Sequence, residues 1–252
     1  MLSRVLEPEV MDTPGEAVAY DRMDHAEVNR RFVADLVAAA AGLHVDLASA
    51  AVLDLGTGTA LIPIELCRSA SGVCVWAVDA AASMLELARQ RVQQAGYGDR
   101  IQLELADAKR LPYADGRFGV VMSNSIIHHL PEPALALAEA VRVTAPGGLL
   151  FFRDLLRPAD LATLEQLVAT YTADADPQQR GLFADSLHAA LSLDEVRELV
   201  AALGFAPGTV TQSSDRHWTW SAVNVERDST APQSPLPSRE READRLQSRS
   251  GG

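Results

Sequence analysis

Two glycines separated by one residue follow a short apolar run, and this spacing points to a ligand site. Residues 51–55 are apolar except for Asp54, and Gly56 and Gly58 come directly after them. Such a run predicts a buried parallel strand, and the helical pattern that starts at Leu61 predicts a helix behind the glycines. A strand that turns on glycines into a helix presents backbone N–H groups at one point. The sequence therefore predicts a nucleotide-type site at the carboxyl end of the first strand.

Carboxylates follow the next two predicted strands. Asp79 ends the apolar run 73–78, and Asp107 comes soon after the alternating run 101–105. A carboxylate about 20 residues after the glycines can accept both hydroxyls of a ribose. Helix capping is the alternative for Asp79, because a helical pattern begins at Ala80. Because NAD sites use the same device, Asp79 predicts a ribose without selecting one cofactor.

Polar residues also follow the predicted strands over 118–122 and 149–152. They are Asn124, His128, His129, Arg153 and Asp154. In an open α/β sheet ligands bind at the carboxyl ends of strands, so these side chains are expected near the glycines. We expect His128 or Asp154 to orient the substrate, and to act as a base only if the nucleophile carries a proton. Adjacent histidine side chains are expected to point apart, so a packing or loop-bonding role stays open for either one.

The order and spacing of these motifs resemble class I S-adenosylmethionine-dependent methyltransferases. The glycine loop, Asp79, Asp107, the Asn124 region and the turn over 146–148 all take part in the resemblance. The third glycine of a dinucleotide fingerprint is absent, because Leu61 occupies its position. The resemblance implies S-adenosylmethionine as cofactor and S-adenosylhomocysteine as product. The cofactor residues it implies are Asp54, Gly56, Thr57, Gly58, Asp79, Ala80, Met84, Asp107, Ala108 and Asn124.

The resemblance also implies SN2 transfer of a methyl group, with the protein holding the nucleophile in line. The acidic chain and an apparent cap favour a small molecule as acceptor. One alternative is a non-catalytic protein that binds S-adenosylmethionine or S-adenosylhomocysteine and regulates a partner. A less favoured alternative is an NAD-dependent oxidoreductase. The identity of the methylated atom (O, N, C or S), the need for a base and the oligomeric state stay open.

Composition excludes several other classes. The 252 residues carry a net charge of −12, and Lys109 is the only lysine, which argues against nucleic acid or an anionic membrane as partner. The sequence has neither an 18-residue apolar run nor the apolar core of a signal peptide, so a cytoplasmic location is expected. Cys67 and Cys74 alone make no convincing metal site, and no metal is expected.

The resemblance implies a Rossmann-like, doubly wound α/β sheet of seven strands, mostly parallel, with one antiparallel strand near the C-terminal end. Residues 1–45 are expected to form a helical lid, and 46–225 a methyltransferase domain with a cap insertion over 156–192. The composition of 226–252 predicts a disordered tail. The residues expected to bind substrate are Tyr20, His25, His129 and Arg153.

Overall fold

The computed structural model describes residues 2–10, 12–13, 15 and 26–225. Two residues predicted to bind substrate, Tyr20 and His25, lie outside the described residues, as does the predicted tail over 226–252. Among the helices in the described ranges, none is long and apolar enough to cross a membrane.

A seven-stranded sheet forms the centre of the described chain. Its strands are β1 (Ala51–Leu55), β2 (Cys74–Asp79), β3 (Ile101–Leu105), β4 (Phe118–Asn124), β5 (Thr144–Leu155), β6 (Val210–Gln212) and β7 (His217–Val223). They are ordered β3-β2-β1-β4-β5-β7-β6, with β1 to β5 parallel and β7 antiparallel to both neighbours. The predicted doubly wound sheet is therefore confirmed. The winding reverses between β1 and β4, whose carboxyl ends border a crevice.

Helices cover both faces of the sheet. Within the described ranges they are α1 (Ala26–Gly42), α2 (Leu61–Ser69), α3 (Ala82–Ala95), α4 (Pro133–Val143), α5 (Leu161–Tyr171), α6 (Pro177–Ala189) and α7 (Leu193–Ala202). Ser192 and Glu195 form the predicted capping box of α7. Helix α3 begins two residues later than predicted, because Asp79 first forms a turn by accepting the backbone N–H of Ala81.

Alternation along the strands divides the apolar residues between two cores. On one face Val52 and Phe151 pack with α1, α2 and α3, and the ring of Phe32 meets that of Phe151 edge to face at 5.2 Å. On the other face the sheet packs against α4 and α7. Trp218 and Trp220 are fully buried there and pack under these helices.

Residues 156–192, predicted as a cap, contain α5 and α6. Asp160 caps α5 by accepting the backbone N–H of Thr163. Both helices bury leucines in a small cluster of their own, together with Leu155 at the end of β5. These helices are therefore attached at the carboxyl edge of the sheet.

Residues 2–10 run along this edge and are called the N-terminal strap. Val5 donates its N–H to the carbonyl of His188 at 3.1 Å, and Arg4 donates to the carbonyl of Ala189 at 2.7 Å. Beyond the strap, Asp12 accepts the N–H of Ser83 in the first turn of α3 at 3.0 Å. The strap therefore runs from α6 toward α3. The strap and helix α1 both lie within residues 1–45, which were predicted as a lid; α1 packs on a face of the sheet.

Candidate active site

The loop after β1 adopts left-handed backbone at alternate positions. Gly56 and Gly58 have φ values of 71° and 54°, and Ala60 has a φ of 61°. A Cβ on Gly56 would lie 1.9 Å from Cγ2 of Ile126, so a side chain does not fit between β1 and the turn after β4. The N–H of Gly56 donates to a carbonyl of β2 at 2.9 Å, which holds the loop against the sheet.

Asp79 closes the loop from the end of β2. Its Oδ2 accepts the N–H of Gly58 at 2.7 Å, and its Oδ1 accepts the N–H of Ala81 at 2.9 Å. A carboxylate offers about four lone-pair positions, so further positions remain for a ligand. Burial raises the pKa of Asp79 above its ordinary value, although these backbone hydrogen bonds oppose the rise. Hydroxyl donors or a cation in front of Asp79 would offset this cost of burial.

These groups face one cleft with about 790 Å³ of empty space, which includes the part open to solvent. Small-molecule sites are typically concave clefts, and in open α/β sheets they lie at the carboxyl ends of the strands, as this cleft does. The predicted residues that line it are Gly56, Gly58, Asp79, Ala80, Met84, Asp107, Ala108, Asn124 and His129. Glu9 and Val10 of the N-terminal strap line it as well.

Asn124 brings an unsatisfied oxygen to the cleft from the end of β4. Its Oδ1 is buried and has no hydrogen-bond partner among the described residues. An unpaired buried acceptor costs about 1–3 kcal/mol, which a ligand donor would offset. Ser125 follows with a φ of 61° and turns the chain into a short 3₁₀ helix, Ile127–His129.

Asp107 lies half exposed at the rim. Its Oδ1 accepts the backbone N–H of Lys109 at 2.9 Å and lies 3.1 Å from the Lys109 Nζ. Lys109 also pairs with Glu9, which anchors the N-terminal strap to this side of the cleft. These contacts use only Oδ1, so the second carboxylate oxygen of Asp107 remains for a ligand.

His128 and Asp154, both predicted to orient the substrate, form a buried pair behind the cleft. His128 Nδ1 lies 2.5 Å from Asp154 Oδ1, and the two residues are only 3% and 1% exposed. Asp154 also accepts the backbone N–H groups of Ile127 and Leu155, each at 2.6 Å. Asp154 therefore holds the 3₁₀ turn and the His128 ring, and neither residue lines the cleft.

Glu7 of the N-terminal strap meets both histidines. Its Oε1 lies 3.4 Å from His128 Nε2 and 3.1 Å from His129 Nδ1. The two imidazole rings lie side by side, with centroids 4.1 Å apart. The prediction that these rings point apart is wrong, because the short 3₁₀ turn directs both of them toward the strap.

Burial and opposite charges shift the pKa values of this cluster in different directions. Burial disfavours charge on His128, but Asp154 and Glu7 outweigh it and raise the His128 pKa. Burial alone would raise the pKa of Asp154, yet the His128 charge and hydrogen bond lower it. Burial and then the charge of His128 lower the pKa of His129 to about 4, whereas burial raises the pKa of Glu7. His129 is therefore the neutral imidazole at the cleft wall at pH 7.

Besides His128 and Asp154, three predicted residues lie away from the cleft lining. Arg153 donates to Oδ2 of Asp35 in α1 at 2.7 Å and to Oγ1 of Thr219 at 2.9 Å. Asp54 and Thr57 are buried, with 2% and 8% exposure. Burial raises the pKa of Asp54 to about 7. Arg153 thus joins α1 to the sheet and has no part in the proposed site.

The strap residues Arg4, Glu7, Glu9 and Val10 were missed by the sequence analysis. Arg4 donates to the carbonyls of His128 and Leu130 at 3.0 Å each, across more than a hundred positions of chain. Such contacts leave no periodic pattern in residues 2–10 themselves. The one local signal was Pro8, which indicates an irregular segment without placing it.

The charge of the lining fits S-adenosylmethionine better than a dinucleotide. The described lining residues include the acids Glu9, Asp79 and Asp107, and no Arg or Lys. S-adenosylmethionine carries a cationic sulfonium, which an acidic lining favours, whereas NAD carries an anionic pyrophosphate. The Gly58 N–H, which a pyrophosphate would need, already donates to Asp79. The unpaired Oδ1 of Asn124 similarly suits a ligand donor such as an ammonium group.

Comparisons with known proteins agree with this site. The methyltransferase domain family matches residues 53–152. A 27-O-demethylrifamycin SV methyltransferase from Amycolatopsis mediterranei is 31% identical over 69% of this chain, and the match spans 62% of that relative. A demethylmenaquinone methyltransferase from Parafrankia sp. is 32% identical over 61% of this chain, and the match spans 69% of it.

A solved structure shows the same fold. The SAM-dependent methyltransferase from Aquifex aeolicus superposes with a TM-score of 0.63 at 19% identity, covering 84% of this chain and 99% of that one. The family match begins at the glycine-loop strand and ends in β5, so it contains Asp79, Asp107 and Asn124. The chain belongs to the class I S-adenosylmethionine-dependent methyltransferases.

Proposed function

We propose that this protein transfers a methyl group from S-adenosylmethionine to a small-molecule nucleophile bound beside His129. The observation that carries the proposal is the continuity of the cleft. One lining joins the glycine loop and Asp79 to Asn124 and His129. Cofactor and acceptor can therefore occupy the same cleft in contact with each other.

When bound, the cofactor would supply an electrophilic methyl group on its sulfonium sulfur. In the transfer, a lone pair of the nucleophile forms a bond to the methyl carbon while the carbon–sulfur bond breaks and leaves a neutral thioether. Asp79 accepts hydrogen bonds from hydroxyl groups at the glycine loop. Asp107 accepts from an amino group at the rim, and Asn124 Oδ1 accepts from a donor at the end of β4. Holding both reactants in line in this way can account for about 7–11 kcal/mol of the barrier.

His129 is the residue placed to meet the acceptor. As a neutral imidazole it accepts a hydrogen bond, or a proton where the nucleophile is protonated at the working pH. His128 and Asp154 act behind it as positioning residues, because Asp154 holds the turn that carries both histidines. This assignment moves the acceptor-facing role from His128 to its neighbour.

A small acceptor is supported by the shape and charge around the cleft. The N-terminal strap contributes Glu9 and Val10 to the lining, so the cleft is narrowed from the solvent side. The net charge of −12 disfavours nucleic acid and anionic membranes as partners. Two relatives are named for rifamycin and demethylmenaquinone substrates, which are small molecules.

Two measurements on the full chain test the proposal. Calorimetry with S-adenosylhomocysteine is expected to show one binding site. Transfer of a labelled methyl group is then measured with a panel of acceptors that carry hydroxyl, amine, thiol or carbon nucleophiles. Binding without turnover in every class would favour the non-catalytic regulatory alternative, and binding of NADH in place of S-adenosylhomocysteine would overturn the cofactor assignment.

A further inference from the structure

We propose that Glu7, His128 and His129 form a binding site for one divalent transition-metal ion of the zinc type. Two imidazoles and one carboxylate are a ligand set that zinc and its first-row neighbours bind well. One ligand comes from the N-terminal strap and two from the 3₁₀ turn after β4. The site goes beyond the proposed function and does not depend on it.

The spacing of the three ligand atoms fits a single ion. Zinc lies about 2.0–2.2 Å from nitrogen and oxygen ligands, so tetrahedral ligands are about 3.4 Å from one another. Glu7 Oε1 lies 3.4 Å from His128 Nε2 and 3.1 Å from His129 Nδ1. All three ligand atoms fall within 4.8 Å of one another. Small side-chain rotations therefore bring all three to a common ion.

His129 supplies a second, independent observation. Within the described part of the chain its buried Nδ1 has no hydrogen-bond partner, although the Glu7 carboxylate lies 3.1 Å away. A buried ring nitrogen that is left unpaired is costly in an ordinary polar cluster. An ion between Glu7 and the two rings gives this nitrogen a partner.

The opposite edge of the His128 ring has the support that metal ligands usually have. A metal-bound histidine typically donates its other ring N–H to a carboxylate, which fixes the ring and increases its basicity. His128 Nδ1 contacts Asp154 at 2.5 Å, and Asp154 is itself held by the backbone N–H groups of Ile127 and Leu155. Nε2 is thus the nitrogen left to face Glu7.

The surroundings limit what else the ion touches. Ser186 of α6 contacts the Glu7 carboxylate at 3.2 Å, and Arg4 donates to the backbone carbonyl of His128 rather than to a ligand atom. His129 also lines the cofactor cleft, so the ion would lie directly behind this wall of the cleft. A bound ion would tie the N-terminal strap to the turn that forms this wall of the cleft.

Calorimetric titration of the chelator-treated full chain with ZnCl₂ tests the site. We expect one ion per chain, and at least tenfold weaker binding in both Glu7→Gln and His129→Asn. Glu86→Gln, a matched change of an exposed acid in α3, and His44→Gln, a change of an exposed histidine, are expected to bind zinc as the parent does. Cys74→Ser removes the exposed thiol as a competing ligand and is expected to leave the stoichiometry at one.

Circular dichroism of each variant checks that the fold is kept. If one of the two ligand variants fails to fold, the other still tests the site. The proposal is overturned if the parent shows no saturable one-to-one binding, or if folded Glu7→Gln binds zinc as tightly as the parent and Glu86→Gln do. Cobalt in place of zinc offers a second readout, since its visible absorption reports nitrogen ligation and is expected to be lost in His129→Asn.

Discussion

The carboxylate of Asp79 accepts the backbone N–H of Gly58 at 2.7 Å, which joins the end of β2 to the glycine loop after β1. This bond uses the donor that an anionic pyrophosphate would require. It also places a half-buried carboxylate beside the left-handed turn, where a cationic cofactor is favoured. The hydrogen bond between Gly58 and Asp79 thus affects both the shape of the loop and the charge of the ligand that it favours.

Asp79→Ala is expected to weaken S-adenosylhomocysteine binding by about 1.5–3 kcal/mol, the scale of hydrogen bonds to a charged group. The loss arises because Asp79 is the acceptor for hydroxyl groups at the loop. Calorimetry on the variant and on Glu86→Gln, a change of an exposed acid in α3, measures the difference. Unchanged affinity in Asp79→Ala would contradict the assigned role.

Gly56→Ala is expected to destabilise the fold, because the new Cβ would lie 1.9 Å from Cγ2 of Ile126 and the backbone φ is 71°. Overpacking of this kind costs about 1–3 kcal/mol. Chemical denaturation of Gly56→Ala is compared with Gly98→Ala, where a Cβ meets nothing within 4 Å. Adding Ile126→Ala to Gly56→Ala is expected to recover part of the loss, and no recovery would mean that backbone strain alone is responsible.

The buried Asp54 makes stability depend on pH. Burial raises its pKa from an ordinary 3.8 to about 7, so the folded protein binds this proton more tightly than the unfolded chain does. The contribution is fully present below pH 4 and is lost as the pH rises through 7. At about 1.4 kcal/mol per pH unit and proton, the loss amounts to roughly 4 kcal/mol.

Asparagine has no carboxyl group to titrate, so Asp54→Asn is expected to abolish the part of the pH dependence of stability that comes from Asp54. Urea denaturation of the parent and the variant between pH 4 and 8 measures it, and the stability advantage of the variant should grow with pH. Asp99→Asn, at an exposed position, serves as the control and is expected to follow the parent. Parallel curves for Asp54→Asn and the parent would show that Asp54 is ionised at no cost.

His128→Asn is expected to lower the rate of methyl transfer while leaving S-adenosylhomocysteine affinity unchanged. The ring contacts Asp154 and Glu7 but does not line the cleft, so its loss disturbs the turn that carries His129 and not the cofactor. Turnover of the variant is measured with an acceptor identified in the methyl-transfer assay, and His44→Asn is measured in the same way as a control. Retained turnover in both His128→Asn and Asp154→Asn would contradict the positioning role.

Local sequence patterns were sufficient for the sheet and for several residues that line the cleft at the ends of its strands. Buried strands appear as continuous apolar runs, and the residues after them, such as Gly58, Asp79 and Asn124, are placed by topology alone. The sequence analysis placed Arg153 at the same edge, but its side chain points to Asp35 in α1. Topology places the backbone, whereas the direction of a long side chain depends on which partner is within reach.

The wall of the cleft beside the N-terminal strap depends on contacts that no local pattern records. Glu7 reaches His128 and His129 across more than a hundred residues, and the 3₁₀ turn that directs both rings begins at a strained Ser125. The expectation that the protein has no metal site rested on the two cysteines, and it did not consider Glu7 together with His128 and His129. An irregular N-terminal segment gives no periodicity from which its path can be predicted.

Arg4→Ala is expected to release the N-terminal strap and to lower stability by about 1–3 kcal/mol, since three backbone carbonyls lose their donor. These carbonyls belong to Ala189, His128 and Leu130, so the arginine joins α6 to the 3₁₀ turn. Arg30→Ala is the matched control, because Arg30 makes only an exposed pair with Glu27, and such pairs contribute about 0–1 kcal/mol.

Two readouts separate the effect of Arg4 on the fold from its effect on the cleft. Urea denaturation gives the change in stability, and limited proteolysis of the folded protein reports whether residues 2–10 become accessible. Cleavage within the strap is expected to be faster in Arg4→Ala than in Arg30→Ala, because the strap would then keep only the Val5 backbone bond and the Glu7–Ser186 contact among its described hydrogen bonds to α6. Equal cleavage rates in the two variants would show that the contacts of Glu7 and Glu9 are sufficient to keep the strap across the cleft.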